Sequence, residues 1–247
     1  VGGRVELVFT PYFKNEDWSA TMLARNEMNT EKRTYQYIRS NDLPTGITSP
    51  TVPAQLYEDS NTKAMDSSNS RSASQNLLYN GHVSYKDGRY NLGFSLRADG
   101  DSKFGPKNKW AVFPGVSARY NLSDEKFMEK IKGEWLSMLG LRASWGINGK
   151  APSSNYLFFN TYNTSAGYYG DGATMQPIAT LDGLKLDDLR WEKTTSYNLG
   201  FNIGLLKDKI EVDFDYYHKE TRDLLMSHVA IPSMVGYNSL SYMNVGR

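Results

Sequence analysis

Cysteine is absent from all 247 residues. Disulfide frameworks and thiolate metal sites are therefore excluded, while the redox compartment stays open, since a chain without thiols is tolerated anywhere. An excess of charge is missing as well: 28 Lys+Arg stand against 27 Asp+Glu, a net charge of +1. Nothing in that balance supplies the basic field that nucleic-acid binding requires. No run of about 18 apolar residues occurs, so no segment reads as a membrane-spanning helix. Val1-Gly2-Gly3-Arg4 lacks the basic and apolar regions of a signal peptide. Histidines number three, His82, His218 and His228, without metal-ligand spacing among them. Asp99-Gly100-Asp101 begins like a calcium loop, but Lys103 takes the next ligand position and no glutamate closes it. No Gly-x-Ser-x-Gly nucleophile elbow is present. No cofactor and no enzymatic activity is indicated.

What the chain does have is tyrosine, glycine and alternation: 17 Tyr, 21 Gly and 13% aromatic residues, against only 39% hydrophobic. The stretch from Arg97 to Tyr120 sits at the centre of the pattern. Before it, Leu92, Phe94, Leu96 and Ala98 alternate with Asn91, Gly93, Ser95, Arg97 and Asp99. After it, Val112, Val116 and Ala118 alternate with Gly115, Ser117 and Arg119. Period two with one apolar and one polar face is the signature of β-strands, and Gly105-Pro106-Lys107-Asn108 supplies the chain reversal between them. The same alternation recurs at Val5 to Phe9, Trp18 to Ala24, Leu77 to Tyr85, Leu139 to Ile147, Tyr197 to Leu205 and Ile210 to Tyr216. Ser123 to Ile131 reads as one short helix with Ser123 at its N-cap. Asn41 to Gln75 and Lys150 to Leu189 read as long irregular segments.

Connections thus alternate between very short (Asn15 to Asp17, Asp87-Gly88, Lys207 to Lys209) and very long. Loops of two lengths on two sides of a sheet suit a transmembrane β-barrel. The apolar face of each strand is unbroken for about the 9–11 residues that a tilted strand needs to cross hydrocarbon. Trp18, Tyr85, Tyr90 and Tyr120 on the short-turn side, with Trp110 and Trp191 on the long-loop side, would form aromatic girdles. The competing arrangement is a soluble or surface-attached β-sandwich that binds glycans, which also alternates and would bury its apolar rows between two sheets.

On the polar faces, Arg97, Asp99, Arg119 and Arg142 are expected to point into a lumen. Glu211, Asp213 and Asp215 line one strand; they suit an ion ladder with the three arginines better than acid–base catalysis. The aromatic residues of the second long segment, Tyr162, Tyr168 and Tyr169, with Asp171, are candidates for substrate contact, with packing among loops as the alternative role.

Three blocks carry a family resemblance: RADGDSKFGPKNKWAVFPGVSARYNLSDEKFM, then LGLRASWGINGK, then LRWEKTTSYNLGFNIGLLKDKIEVDFDYYHKETRDLL. Their order and spacing resemble the barrel of SusC/RagA-type TonB-dependent outer-membrane transporters. Asp101 departs from the small hydroxyl residue common at that place. The resemblance implies an all-β fold, an antiparallel up-and-down transmembrane β-barrel segment with long extracellular loops and short periplasmic turns. It would contribute roughly nine strands to a barrel of about 22. Residues 1–247 would then be a partial barrel domain, without the plug domain and the terminal strands. The implied function is uptake of oligosaccharides or peptides through the cell outer membrane of a Gram-negative bacterium. The implied partners are a SusD-like lipoprotein lid, TonB acting through the plug, outer-membrane lipid and the substrate.

Overall fold

The computed structural model describes residues 1–38, 65–128, 135–168, 175–232 and 239–246. Alternation becomes one antiparallel sheet of eight strands. These are β1 (Gly2–Phe9), β2 (Trp18–Ile38), β3 (Met65–Tyr85), β4 (Tyr90–Asp101), β5 (Trp110–Asn121), β6 (Leu136–Lys150), β9 (Glu192–Leu205) and β10 (Ile210–Arg222). Each pairs with its neighbour in sequence, except that β6 pairs with β9 across an excursion. That excursion carries its own hairpin of β7 (Thr161–Tyr168) and β8 (Met175–Gly183), and a second hairpin joins β11 (Leu224–Ala230) to β12 (Ser239–Val245). An up-and-down meander follows from the sequence, because each short polar break allows only antiparallel return.

Register keeps the two faces separate. Leu92, Ala118, Ala143, Leu199 and Tyr216 lie opposite one another across five strands. Asn91, Arg119, Arg142, Gly200 and Asp215 do the same on the other face, one residue along. A slip of one residue would exchange the faces, so the apolar pattern fixes the pairing. Among the described residues no second sheet covers the apolar rows: Leu96 remains 49% exposed, Val112 54% and Leu199 60%. The sandwich arrangement would bury them, and the chain does not form it. An apolar face this wide is a liability in water and is matched by hydrocarbon.

The tight turns lie at one end. Lys86 and Asp87 (φ 52° and 51°) precede Gly88 (φ 87°) between β3 and β4, and Leu206, Lys207 and Asp208 (φ 55° to 62°) join β9 to β10. Left-handed backbone at such positions matches the twist of the flanking strands. The connections from β2 to β3 and from β6 to β9 leave from the other end, whereas the connection from β5 to β6, residues 122–135, starts and finishes at the tight-turn end.

Several expected boundaries move. β3 begins at Met65 rather than after Gln75, because its Ser/Asn-rich first half pairs residue by residue with the polar half of β2. Beyond Asn29 and Ser74, where β1 and β4 end, these strands continue as a two-stranded ribbon. At about 3.3 Å per residue it extends roughly 30 Å past the sheet. The segment Lys150 to Leu189 is not wholly irregular, since it holds β7 and β8. The described part of the expected helix forms instead two 3-10 turns, Leu122–Asp124 and Lys126–Met128, and residues 129–131 of that expectation lie outside the described residues. Ser123 is buried inside the first turn, and Asn121, at its N-cap, makes no side-chain cap. Asn121 donates its amide to the Gly88 carbonyl instead (2.7 Å), tying this connection to the neighbouring hairpin turn.

Candidate functional site

On the polar face, Arg142 of β6 reaches across β9 to Asp215 of β10. Its Nε and Nη2 donate to the two carboxylate oxygens at 3.2 and 2.9 Å, and Nη2 also lies 3.5 Å from Asp213. The intervening position in register is Gly200. A Cβ there would stand 2.8 Å from both Arg142 Nε and the Phe214 carbonyl, so a residue without a side chain leaves the channel through which the pair meets. Asn202, buried on β9, donates its amide to Asp213.

Of the expected ladder this is the one rung that forms. Arg119 lies three strands from β10, about 14 Å at roughly 4.8 Å per strand, and its Nε donates to Asn121 instead (3.1 Å). Arg97, a strand farther away, pairs with Asp99 on its own strand (2.8 Å). Asp99 is buried, which favours a cation held this close. Arg119 and Arg142 stand directly opposite each other in register, and both line a concavity of about 600 Å³ reached also by His82, Asn91, Ser117 and Asn198.

The long-loop end carries a feature the alternation did not announce. Phe104, Ala111, Phe113, Leu157, Leu189 and Trp191 form a buried apolar cluster. Trp191 stacks on Phe104 with ring centroids 4.6 Å apart and meets Phe113 edge-on at 5.7 Å. Its indole N–H donates to the Asn108 carbonyl (3.1 Å). Arg97 lies over the Phe113 ring at 5.5 Å, so Phe113 shares the face of Arg97 rather than that of Val112. Trp191 is therefore not a girdle residue; an indole buried among apolar loop residues gains more than one left at an interface. Phe104 is buried in this cluster and Gly105 lies buried against Phe158, while Pro106 and Lys107 of the same turn stay exposed. The available signal was phase, since Phe113 falls in step with Gly115 and Ser117.

At the short-turn end the expected aromatic row is continuous: Trp18–Tyr85, Tyr85–Tyr90 and Tyr90–Tyr120 centroids are 4.4, 6.0 and 5.0 Å apart. Beneath it, Glu125 accepts hydrogen bonds from the Tyr90 and Tyr120 hydroxyls and pairs with Arg89 at 3.4 Å. The Tyr90 hydroxyl above all, then Tyr120 and Arg89, holds the Glu125 carboxyl below its ordinary range against an opposing desolvation. Trp110, facing Gly100 across the register, stands on the apolar face at the opposite end.

Tyr162 is on β7, well exposed, and Tyr168 ends the same strand opposite Met175. Neither is near the Arg142 group in the sheet, because β7 and β8 form a separate hairpin. Tyr169 and Asp171 lie outside the described residues.

The model of the TonB dependent receptor-like β-barrel family matches residues 5–247. The chain belongs to this family. Among curated TonB-dependent receptors, SusC of Bacteroides thetaiotaomicron is 33% identical over 180 residues, covering 70% of this chain and 18% of SusC. Receptor P39 of Formosa agariphila is 32% identical over 158 residues, covering 64% of the chain and 14% of the relative. Among solved structures, the RagAB peptide transporter superposes with a TM-score of 0.80 at 21% identity, over 99% of this chain and 26% of that one. The 'closed-closed' state of the RagAB peptide importer gives 0.81, also at 21% identity. At that identity the likeness establishes the fold. This TonB-dependent receptor segment thus spans about a fifth of the length of the first curated relative. The family is one of outer-membrane receptors and transporters rather than an enzyme class. Its eight-stranded sheet is open, as expected of a stretch of wall and not of a closed barrel.

Proposed function

We propose that this chain is part of the wall of a TonB-dependent nutrient importer in a Gram-negative outer membrane. The observation that carries the reading is the sheet itself: one uncovered apolar face, one face of ion pairs and amides, tight turns at one end and the two longest connections leaving from the other. On this reading the apolar face meets lipid, and Arg97, Asp99, Arg119 and Arg142 face the lumen. The tight turns are periplasmic and the ribbon of β2 and β3 rises on the cell surface. Residues 1–247 act as one stretch of barrel domain, together with a plug that engages TonB and a SusD-like surface lipoprotein that lids the mouth. The relatives support this: one is named SusC, and RagAB is described as a peptide importer. The cargo proposed here is an oligosaccharide or a peptide.

Tyr162, Tyr168, Tyr169 and Asp171 are proposed to contact that cargo. Tyr162 is exposed, and an exposed aromatic ring stacks on sugar faces or peptide groups at little entropic cost. The test is uptake of labelled oligosaccharide and peptide pools by cells in which the gene encoding the full-length protein is deleted and then restored. Loss and recovery of import of one class is the expected result; unchanged uptake of both would overturn the reading.

A further inference from the structure

The apolar face is not uniformly filled. Ala118 of β5 and Ala143 of β6 stand opposite each other at its short-turn half. Around them the register places large side chains: Leu92 and Leu199 on either side, Tyr120 and Leu141 one row nearer the turns, Val116 and Trp145 one row farther. Two methyl groups ringed by bulkier residues make a depression, and it opens toward Trp18 on one flank and Phe214 on the other. Its volume is about 910 Å³, near the upper end of the roughly 300–1,000 Å³ typical of small-ligand sites. The aromatic row lapses at the same place, where β6 offers Leu141 between Tyr120 and Phe201.

A cation stands at the turn end. Lys86 carries its ammonium over the Tyr85 ring, 5.3 Å from the centroid, on the aromatic row that borders the depression. The side chain therefore lies along the apolar face and presents charge where that face ends, as a lysine at a bilayer interface does.

We propose that this depression is a binding site for one phospholipid of the periplasmic leaflet. An acyl chain lies over Ala118 and Ala143, the glycerol region meets the ring faces of Tyr90 and Tyr120, whose hydroxyls stay on Glu125, and the phosphate is held near Lys86 on the side away from that carboxylate. The inference rests on the reading that this face meets the bilayer, and it deepens that reading by naming a fixed lipid within a fluid belt. Only a lipid combines a long apolar body with an anionic group at the level of the aromatic row. The choice of leaflet follows from the turn end, since Lys86 belongs to a tight turn.

The test uses the full-length protein in mild detergent with added phosphatidylglycerol, read by native mass spectrometry. Wild type should retain the lipid. Ala143→Phe, which fills the depression, should lose it, while Ala98→Phe, an equal enlargement elsewhere on the apolar face, should keep it. Lys86→Asn, which suits the left-handed backbone and removes no core contact, should weaken retention about fivefold, the worth of one surface lysine against anionic lipid. Equal retention by wild type and Ala143→Phe would overturn the site. So would retention of lipopolysaccharide in place of phosphatidylglycerol, or loss of a dimer on Ala143→Phe. A nitroxide at Leu96→Cys, remote from the depression, separates the two levels. If it collides with oxygen but not with aqueous nickel complexes, the bilayer reading stands and a failed retention test counts against the lipid site alone.

Discussion

Arg142 and Asp215 are two strands apart and still form a two-pronged ion pair, because Gly200 between them carries no side chain. Both partners are partly solvated, at 32% and 44% side-chain exposure, so the pair itself contributes about 1 kcal/mol or less. The larger constraint is steric. Gly200→Ala would set a methyl group against the Phe214 carbonyl as well as the guanidinium, and should cost on the order of 1–3 kcal/mol, more than Asp215→Asn. Urea unfolding of the full-length protein in lipid vesicles orders the two variants. A smaller loss for Gly200→Ala than for Asp215→Asn would contradict this account.

The aromatic cluster should be the most costly place to truncate. Phe113→Ala and Trp191→Ala each remove a ring from a buried apolar group, with an expected loss of about 3–5 kcal/mol. Trp191→Phe keeps most of the packing but gives up the hydrogen bond to Asn108, and should cost roughly 1 kcal/mol. The same unfolding assay checks the ranking. Equal effects of Trp191→Phe and Trp191→Ala would mean that packing is not what holds this end together.

The two faces of β4 and β5 should respond differently to charge. Leu96→Arg or Val116→Arg places a guanidinium on the apolar face and should cost about 2–4 kcal/mol where the strand crosses the bilayer midplane. Ser95→Arg or Ser117→Arg, on the polar face, should cost little. The comparison is made by folding into vesicles across a denaturant series, and equal tolerance on both faces would refute the assignment of faces.

Acid should loosen the short-turn end. The Glu125 carboxyl is lowered from its ordinary value of 4.5, chiefly by the Tyr90 hydroxyl. A carboxylate held low in the folded state contributes stability above its unfolded pKa and loses that contribution as pH falls through the lower folded value. Melting temperature between pH 7 and pH 3 should therefore fall more steeply for wild type than for Glu125→Gln at the acid end. Parallel curves for the two proteins would show that the carboxylate is not held by these partners.

Much of this architecture is local information. Alternation over Leu92 to Ala98 or Leu199 to Leu205 records which side of a strand each residue takes, and that follows from backbone geometry alone. The aromatic row of Trp18, Tyr85, Tyr90 and Tyr120 was legible because each residue closes the apolar face at the same end of its strand, and the tight turn at Asp87-Gly88 fixes the pairing of Tyr85 with Tyr90. The start of β3 was not legible: Met65 to Ser74 carries no apolar pattern, and its pairing with β2 is made by backbone hydrogen bonds that any residue can form.

From the sequence alone come the alternating strands of the main sheet, their two faces and the end at which the tight turns lie, because a period of two and a tight turn are properties of a few neighbouring residues. Only the tertiary structure decided that Arg142 meets Asp215 over Gly200 while Arg97 and Arg119 find other partners, that Trp191 leaves its expected girdle place to share a core with Phe113, and that Ala118 and Ala143 coincide in a depression. Each of these depends on which residues of distant strands come opposite one another, and that is settled by register summed across the sheet rather than by any single strand.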